Sequence, residues 1–238
     1  MDDSLATGQQ YTVPAEQAEE IIRSFVMSVF GWMSFGLFVT GATAMLTVES
    51  ETMLGIIFGS QIVFFGLIIA QLGLVVWLSA RVAKMSAATA TTVFLAYAAL
   101  TGVTLSAVFL TYTAESLGMT FFVTAGTFGL TAAYGYLTKT DLSKFGGFLV
   151  MGLIGLVLAS VVNLFLQNEM VYWITTYIGI GIFVGLTAWD MQKLRGIALT
   201  VEEGSEQQHK ATIIGALALY LDFINLFLLL LRILGKRK

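Results

Sequence analysis

Asp222 is the residue most at odds with its surroundings. It stands inside LALYLDFINLFLLLLRILG (217–235), near the centre of the apolar stretch 211–233, roughly eleven residues and about 16 Å from either end. An aspartate at that depth of a bilayer costs on the order of 2.5–3.5 kcal/mol, so its presence points to function. The plainer alternative is a protonated aspartate whose hydrogen bonds lock two helices together. Asn225 follows at i+3 on the same helix face and is a pore-lining candidate. Arg232, seven residues further, reads as an end residue that snorkels to the interface.

Asp190 ends the preceding apolar stretch, with Thr187 at i−3. It either begins a loop or joins Asp222 in a site. Arg81 ends the second stretch on the same side of the membrane, at a depth where it could pair with Asp190. Gln61, Gln71 and Asn163 read as helix–helix hydrogen bonds. Two aspartates on consecutive helices have a physical consequence if they approach: in a low dielectric both cannot ionise, and they titrate as a pair. That describes a proton switch or an acid catalyst, and the spacing alone does not choose.

Other chemistry is excluded. The chain has no cysteine, hence no thiolate zinc site and no cysteine nucleophile. Its single histidine, His209, rules out paired-histidine metal motifs. A net charge of −3 offers no basic field for nucleic acid.

The elements that must position the aspartates are set by composition. Of 238 residues, 57% are hydrophobic and 11% charged, with a mean hydropathy of +0.86, against about 25% charged in a soluble domain. The charges fall in clusters between seven long neutral stretches, which predict helices near 24–47, 53–79, 86–112, 119–137, 146–167, 171–190 and 211–233. Each approaches or exceeds the roughly 20 residues that cross a bilayer. Continuous runs such as IVFFGLIIA (62–70) lack the alternation of a membrane β-barrel, so the fold class is all-α, polytopic, with seven transmembrane helices.

Residues 1–22 read as a polar N-terminal tail without a signal peptide, 23–235 as the membrane domain and 236–238 as a basic C-terminal tail. The mixed-polar segment 196–210 is the longest predicted connection. Gly55/Gly59 and Gly181/Gly185 are small-residue pairs suited to helix packing. Eight Lys and Arg residues lie on the N-terminal side and none in the three opposite loops, which places the N-terminus in the cytoplasm. The basic tail opposes an external C-terminus; the length of 211–233 nevertheless favours a seventh crossing over a re-entrant helix.

At these residues the sequence resembles the Bax inhibitor-1 family, also called the transmembrane Bax inhibitor motif family. The resemblance is carried by YLDFINLF within 217–235, by GLTAWDMQKL (185–194) and by LSARVAKMSAATATTVFLAYAALTGVTLS (78–106), and covers about residues 20–235. It implies a seven-helix fold with the last helix central, in a multi-pass protein of the bacterial inner membrane. It also implies a pH-sensitive calcium-leak channel in which Asp190 and Asp222 sense protons and Arg81 latches one of them. The same two aspartates would be transient calcium ligands, far short of the six to eight oxygens of a storage site. No cofactor is implied beyond calcium as the permeant ion, and the partners are the bilayer, calcium, protons and other membrane proteins. This chain departs from the family in a long linker between the aspartates and in its GKRK tail.

Three rivals are weighed. A retinal protein needs a Schiff-base lysine in the last helix, and 211–231 holds none. An intramembrane aspartyl protease resembles this chain in its two aspartates, but carries GxGD at the second and a later Pro-Ala-Leu. Here Leu219-Tyr220-Leu221 precedes Asp222 and no proline follows Pro14, so an enzyme is not expected. The third rival is a scaffold or regulator that binds other membrane proteins without ion flux.

Overall fold

The computed structural model describes residues 14–238. Among them the chain forms eight α-helices: α1 (Ala15–Glu49), α2 (Glu51–Phe58), α3 (Gln61–Arg81), α4 (Ala87–Thr111), α5 (Ala114–Leu137), α6 (Ser143–Leu166), α7 (Glu169–Ala198) and α8 (Glu206–Leu234). Seven are long and apolar enough to cross a membrane, α3 extending through a 3₁₀ turn to Lys84. The eighth, α2, is a short helix between the first two crossings.

Four expected boundaries shift, each for a local reason. The second stretch, expected as one helix over 53–79, is broken at Gly59–Ser60. Ser60 is extended (φ −134°, ψ 116°), and a Cβ on Gly59 would stand 2.2 Å from the Gly55 carbonyl oxygen. The tail expected over 1–22 lies outside the described residues as far as residue 13, but from Ala15 it is already helix. AEQAEE is rich in helix formers, and Glu16 in the first turn suits the helix dipole.

The linker between the aspartates is mostly helix as well. α7 runs on to Ala198 because Met191, Leu194 and Ala198 continue its buried face. α8 starts early on a Ser205 cap that accepts from the Gln208 amide, while the Gln208 side chain accepts from Gly204 N–H at 2.8 Å. This resembles a capping box. Only residues 199–205 remain as connection.

α8 is the central helix. It packs directly on α1, α4, α5 and α7, whereas α3 leans on α4 and α6 on α7. Tyr220, wholly buried at the middle of α8, sits edge-on to Phe94 and Tyr97. Its hydroxyl meets Thr40 Oγ1 at 2.7 Å, and Thr40 Oγ1 also lies 2.9 Å from the Ala98 carbonyl. Thr40 has one proton; when it donates to a carbonyl, Tyr220 donates to it. Three helices are thereby tied at one point.

Close approach of helices is set by glycines other than the expected pairs. A Cβ on Gly135 would lie 2.2 Å from the Ala188 carbonyl oxygen and one on Gly102 2.4 Å from that of Thr40. Gly55 and Gly181 face open space, and of the expected pairs only Gly185 meets another helix, at Leu149.

Both ends of α8 are fastened. At the Arg81 end, Glu206 accepts from the Ala87 amide and Lys210 donates to the Met85 carbonyl, both at 3.1 Å. At the Glu115 end the tail pairs with the α4–α5 connection. Thr113 N–H donates to Lys236 O at 3.0 Å and Lys238 N–H to Thr111 O at 2.9 Å. The two ends of α8 therefore lie on opposite faces of the bundle, as a seventh crossing requires.

Candidate functional site

Asp222 is 4% exposed, 12 residues before the end of α8 and so about 18 Å inside the bundle. Its adjacent residues on α8, Leu221 and Phe223, are apolar, and Asn225 at i+3 is bonded to the Leu221 carbonyl; the polar groups that reach it come from α7. Thr187 lies against its carboxyl, and Asp190 is close enough for the two charges to act on each other directly. The Thr187 hydroxyl donates to the Phe183 carbonyl at 2.8 Å, so it offers Asp222 at most a shared proton. One carboxyl oxygen of Asp222, Oδ2, is buried without a hydrogen-bond partner among the described residues. A buried acceptor left unpaired is costly, and an ionised carboxylate there would be more so.

Asp190 is half-buried on α7. It does not begin a loop: α7 continues eight residues beyond it, about 12 Å, which carries it inward from the membrane end. Its charge there reaches Asp222, whereas Arg81 stands on a helix that does not pack on α7. Arg81 is exposed at the end of α3, a helix that packs on α4, and it makes no ion pair among the described residues. The expected Arg81–Asp190 latch is therefore not formed. The cation that acts on Asp190 is Lys193, one turn further along α7.

The remaining polar candidates divide. Asn225 is half-buried, and its Nδ2 donates to the Leu221 carbonyl of its own helix at 2.8 Å. Gln71 is the helix–helix bond expected of it, donating from α3 to Leu100 O and Thr104 Oγ1 on α4. Asn163 instead caps a turn, accepting from Asn168 N–H. Gln61 is exposed at the start of α3. Arg232, near the end of α8, lies 4.9 Å from the Tyr172 ring and 3.4 Å from Thr176 Oγ1, against the first turns of α7.

Residues the sequence did not single out complete the polar interior. Thr120 Oγ1 on α5 and Arg195 Nε on α7 are, with Asp222 Oδ2, the buried side-chain atoms without partners among the described residues. All three belong to α5, α7 and α8, which pack on one another. Thr120 sits toward the Glu115 end, Asp222 in the middle and Arg195 toward the opposite end. Among the described residues no group of three His, Asp or Glu side chains is placed to hold a metal ion.

A bundle of seven apolar helices, the last of them central and carrying a mid-span carboxylate, defines a polytopic membrane protein whose polar chemistry is internal. Comparison with known proteins gives its kinship. The profile of the family described as "Inhibitor of apoptosis-promoting Bax1" matches residues 22–238. The inner membrane protein YbhL of Escherichia coli K12 is 49% identical over 218 residues, 91% of this chain and 93% of that protein. A Borreliella burgdorferi protein is 44% identical over 224 residues, 94% of this chain and 97% of its own length. One from Deinococcus radiodurans is 42% identical over 229 residues, 96% and 97% of the two chains. The chain belongs to the Bax inhibitor-1 family.

Proposed function

We propose that this chain is a multi-pass protein of the bacterial inner membrane that passes calcium down its gradient, controlled by protons shared between Asp190 and Asp222. One observation carries the reading: a carboxyl oxygen of Asp222, deep in the last helix, is buried without a partner beside a second aspartate. A proton on the pair relieves the repulsion of two buried charges, and its loss leaves charge that only a cation or a rearrangement can compensate. The packing around Asp222 corresponds to a closed state. Thr120 Oγ1 and Arg195 Nε, buried without partners on either side of it along the bundle, support a route along the α5–α7–α8 interface, although Arg195 also bonds the Tyr136 carbonyl through its terminal nitrogen. Two carboxylates bind calcium weakly, which suits passage rather than storage. In this scheme Arg81 reaches Asp190 only in another conformation.

The E. coli relative's name, inner membrane protein, supports the compartment, and the split of Lys and Arg supports a cytoplasmic N-terminus. Reporter fusions after Lys144, Lys210 and Lys238 are expected to read inside, inside and outside; a cytoplasmic signal at Lys238 would refute that topology.

Calcium flux into liposomes bearing the purified protein tests the function. The expected result is flux above protein-free liposomes that changes between roughly pH 6 and 8, where buried carboxylates sharing a proton exchange it. Absence of flux throughout that range would leave the scaffold reading in its place.

A further inference from the structure

α5 and α6 are joined by only five residues, 138–142, yet they do not lie against each other. Both are drawn onto α7. Gly135 of α5 brings its backbone against Ala188, and Gly146 of α6 lies so close to the Trp189 ring that a Cβ would stand 2.4 Å from it. The two contacts leave a groove of about 570 Å³ between α5 and α6, floored by Ala188 and Trp189 and walled by Leu130, Tyr134, Phe145 and Phe148. That volume is in the range of ligand clefts. The groove is open along its length to the surroundings of the bundle and is almost wholly apolar.

Its mouth is basic. Lys193 stands one turn beyond Trp189, with Nζ 5.2 Å from the centre of that ring. Lys144 is in the first turn of α6, next to Phe145, and Lys139 lies in the connection; all three are exposed. None makes an ion pair among the described residues. Asp141 is the one acid of the 138–144 segment. Its carboxylate already accepts from the Ser143 amide at 3.0 Å, which holds it below the usual carboxylate range. Arg195, also near, is committed to the Tyr136 carbonyl and ring.

We propose that this groove is a binding site for an anionic phospholipid, one acyl chain lying between α5 and α6 over Trp189 and the headgroup phosphate held by Lys193 and Lys144. An apolar slot with unpaired cations at its membrane-surface end matches both parts of such a lipid. A zwitterionic lipid fits the slot but gains less at the mouth. The groove adjoins the aspartate pair through Lys193, whose charge also reaches Asp190, but its test reads lipid binding and does not depend on ion flux.

Trp189 reports on it. In a chain carrying Trp32→Phe, Trp77→Phe and Trp173→Phe, reconstituted in mixed bilayers, bromine-labelled phosphatidylglycerol is expected to quench Trp189 more than bromine-labelled phosphatidylcholine at equal mole fraction. Lys144→Gln with Lys193→Gln should remove that preference, each lysine accounting for about five-fold in relative affinity. Thr131→Phe, which fills the slot and touches no lysine, should reduce quenching by both lipids. Native mass spectrometry of the chain with all four tryptophans, counting retained phosphatidylglycerol against phosphatidylcholine with and without the two lysines, gives the same comparison should the triple substitution fail to fold. Equal binding of the two lipids, or a preference that survives loss of both lysines, would overturn the proposal.

Discussion

Over their membrane-spanning portions α6 and α8 are almost equally apolar, and they occupy opposite situations. α8 buries twelve of its 29 residues against four neighbouring helices. α6 buries one of 24, Gly146, and turns Phe148, Met151, Leu158 and Phe165 outward. In water such runs would compete for the interior. In a bilayer the acyl chains are as apolar as leucine, so hydrophobicity gives neither helix a reason to be central. What separates them is polar. α8 carries Tyr220, Asp222 and Asn225 within six residues, and these need protein around them. α6 carries Ser160 and Asn163 near one end, where a turn satisfies Asn163.

The contrast is open to direct attack at its glycines. Gly135→Ala would drive a Cβ into the Ala188 backbone at 2.2 Å, and is expected to lower stability by about 3 kcal/mol with loss of folded yield. Gly155→Ala on α6 meets nothing within 4 Å and is expected to be neutral or stabilising by up to about 1 kcal/mol. Thermal unfolding of both variants in one detergent checks this; equal destabilisation would remove the distinction.

A smaller effect separates two leucines. Leu226→Ala, at a buried position of α8, is expected to cost about 2–3 kcal/mol through lost packing, and Leu158→Ala on the outer face of α6 close to nothing. The smallest is Tyr220→Phe, about 1 kcal/mol. It removes the hydroxyl that ties α8 to Thr40, while Thr40 keeps its carbonyl partners. A loss as large for Tyr220→Phe as for Leu226→Ala would mean that the polar tie, rather than packing, holds α8 in place.

The seven crossings could be read from the chain because uncharged stretches of about 20 residues have few alternatives in lipid. The mid-span carboxylate was equally legible, since nothing else in 211–233 is acidic. Less visible was where α7 ends. A charge at Asp190 looks like the edge of a membrane segment, and only the spacing of Met191, Leu194 and Ala198 signals that the buried face continues. The Ser205–Gln208 cap was a readable sign of an early start to α8. The central tie at Tyr220 left no trace, because tyrosine on an apolar helix says nothing about the Thr40 it meets 180 residues away. The absence of an Arg81–Asp190 ion pair among the described residues has a related reason: depth along the membrane normal can be inferred from sequence, but which helices are neighbours cannot.

The account rests on Asp190 and Asp222 acting as one proton-sharing unit. Asp222→Asn and Asp190→Asn keep size and hydrogen-bonding capacity while removing the charge, and both are expected to fold, since an amide costs less in a membrane interior than a carboxylate. Calcium flux in liposomes, measured for wild type, each single variant and the double variant between roughly pH 6 and 8, tests the claim most directly. The predicted result is that each single variant blunts the pH dependence and the double variant is little worse than either, as expected of coupled residues. Wild-type pH dependence retained in both single variants would contradict the account and leave the aspartates a structural role alone.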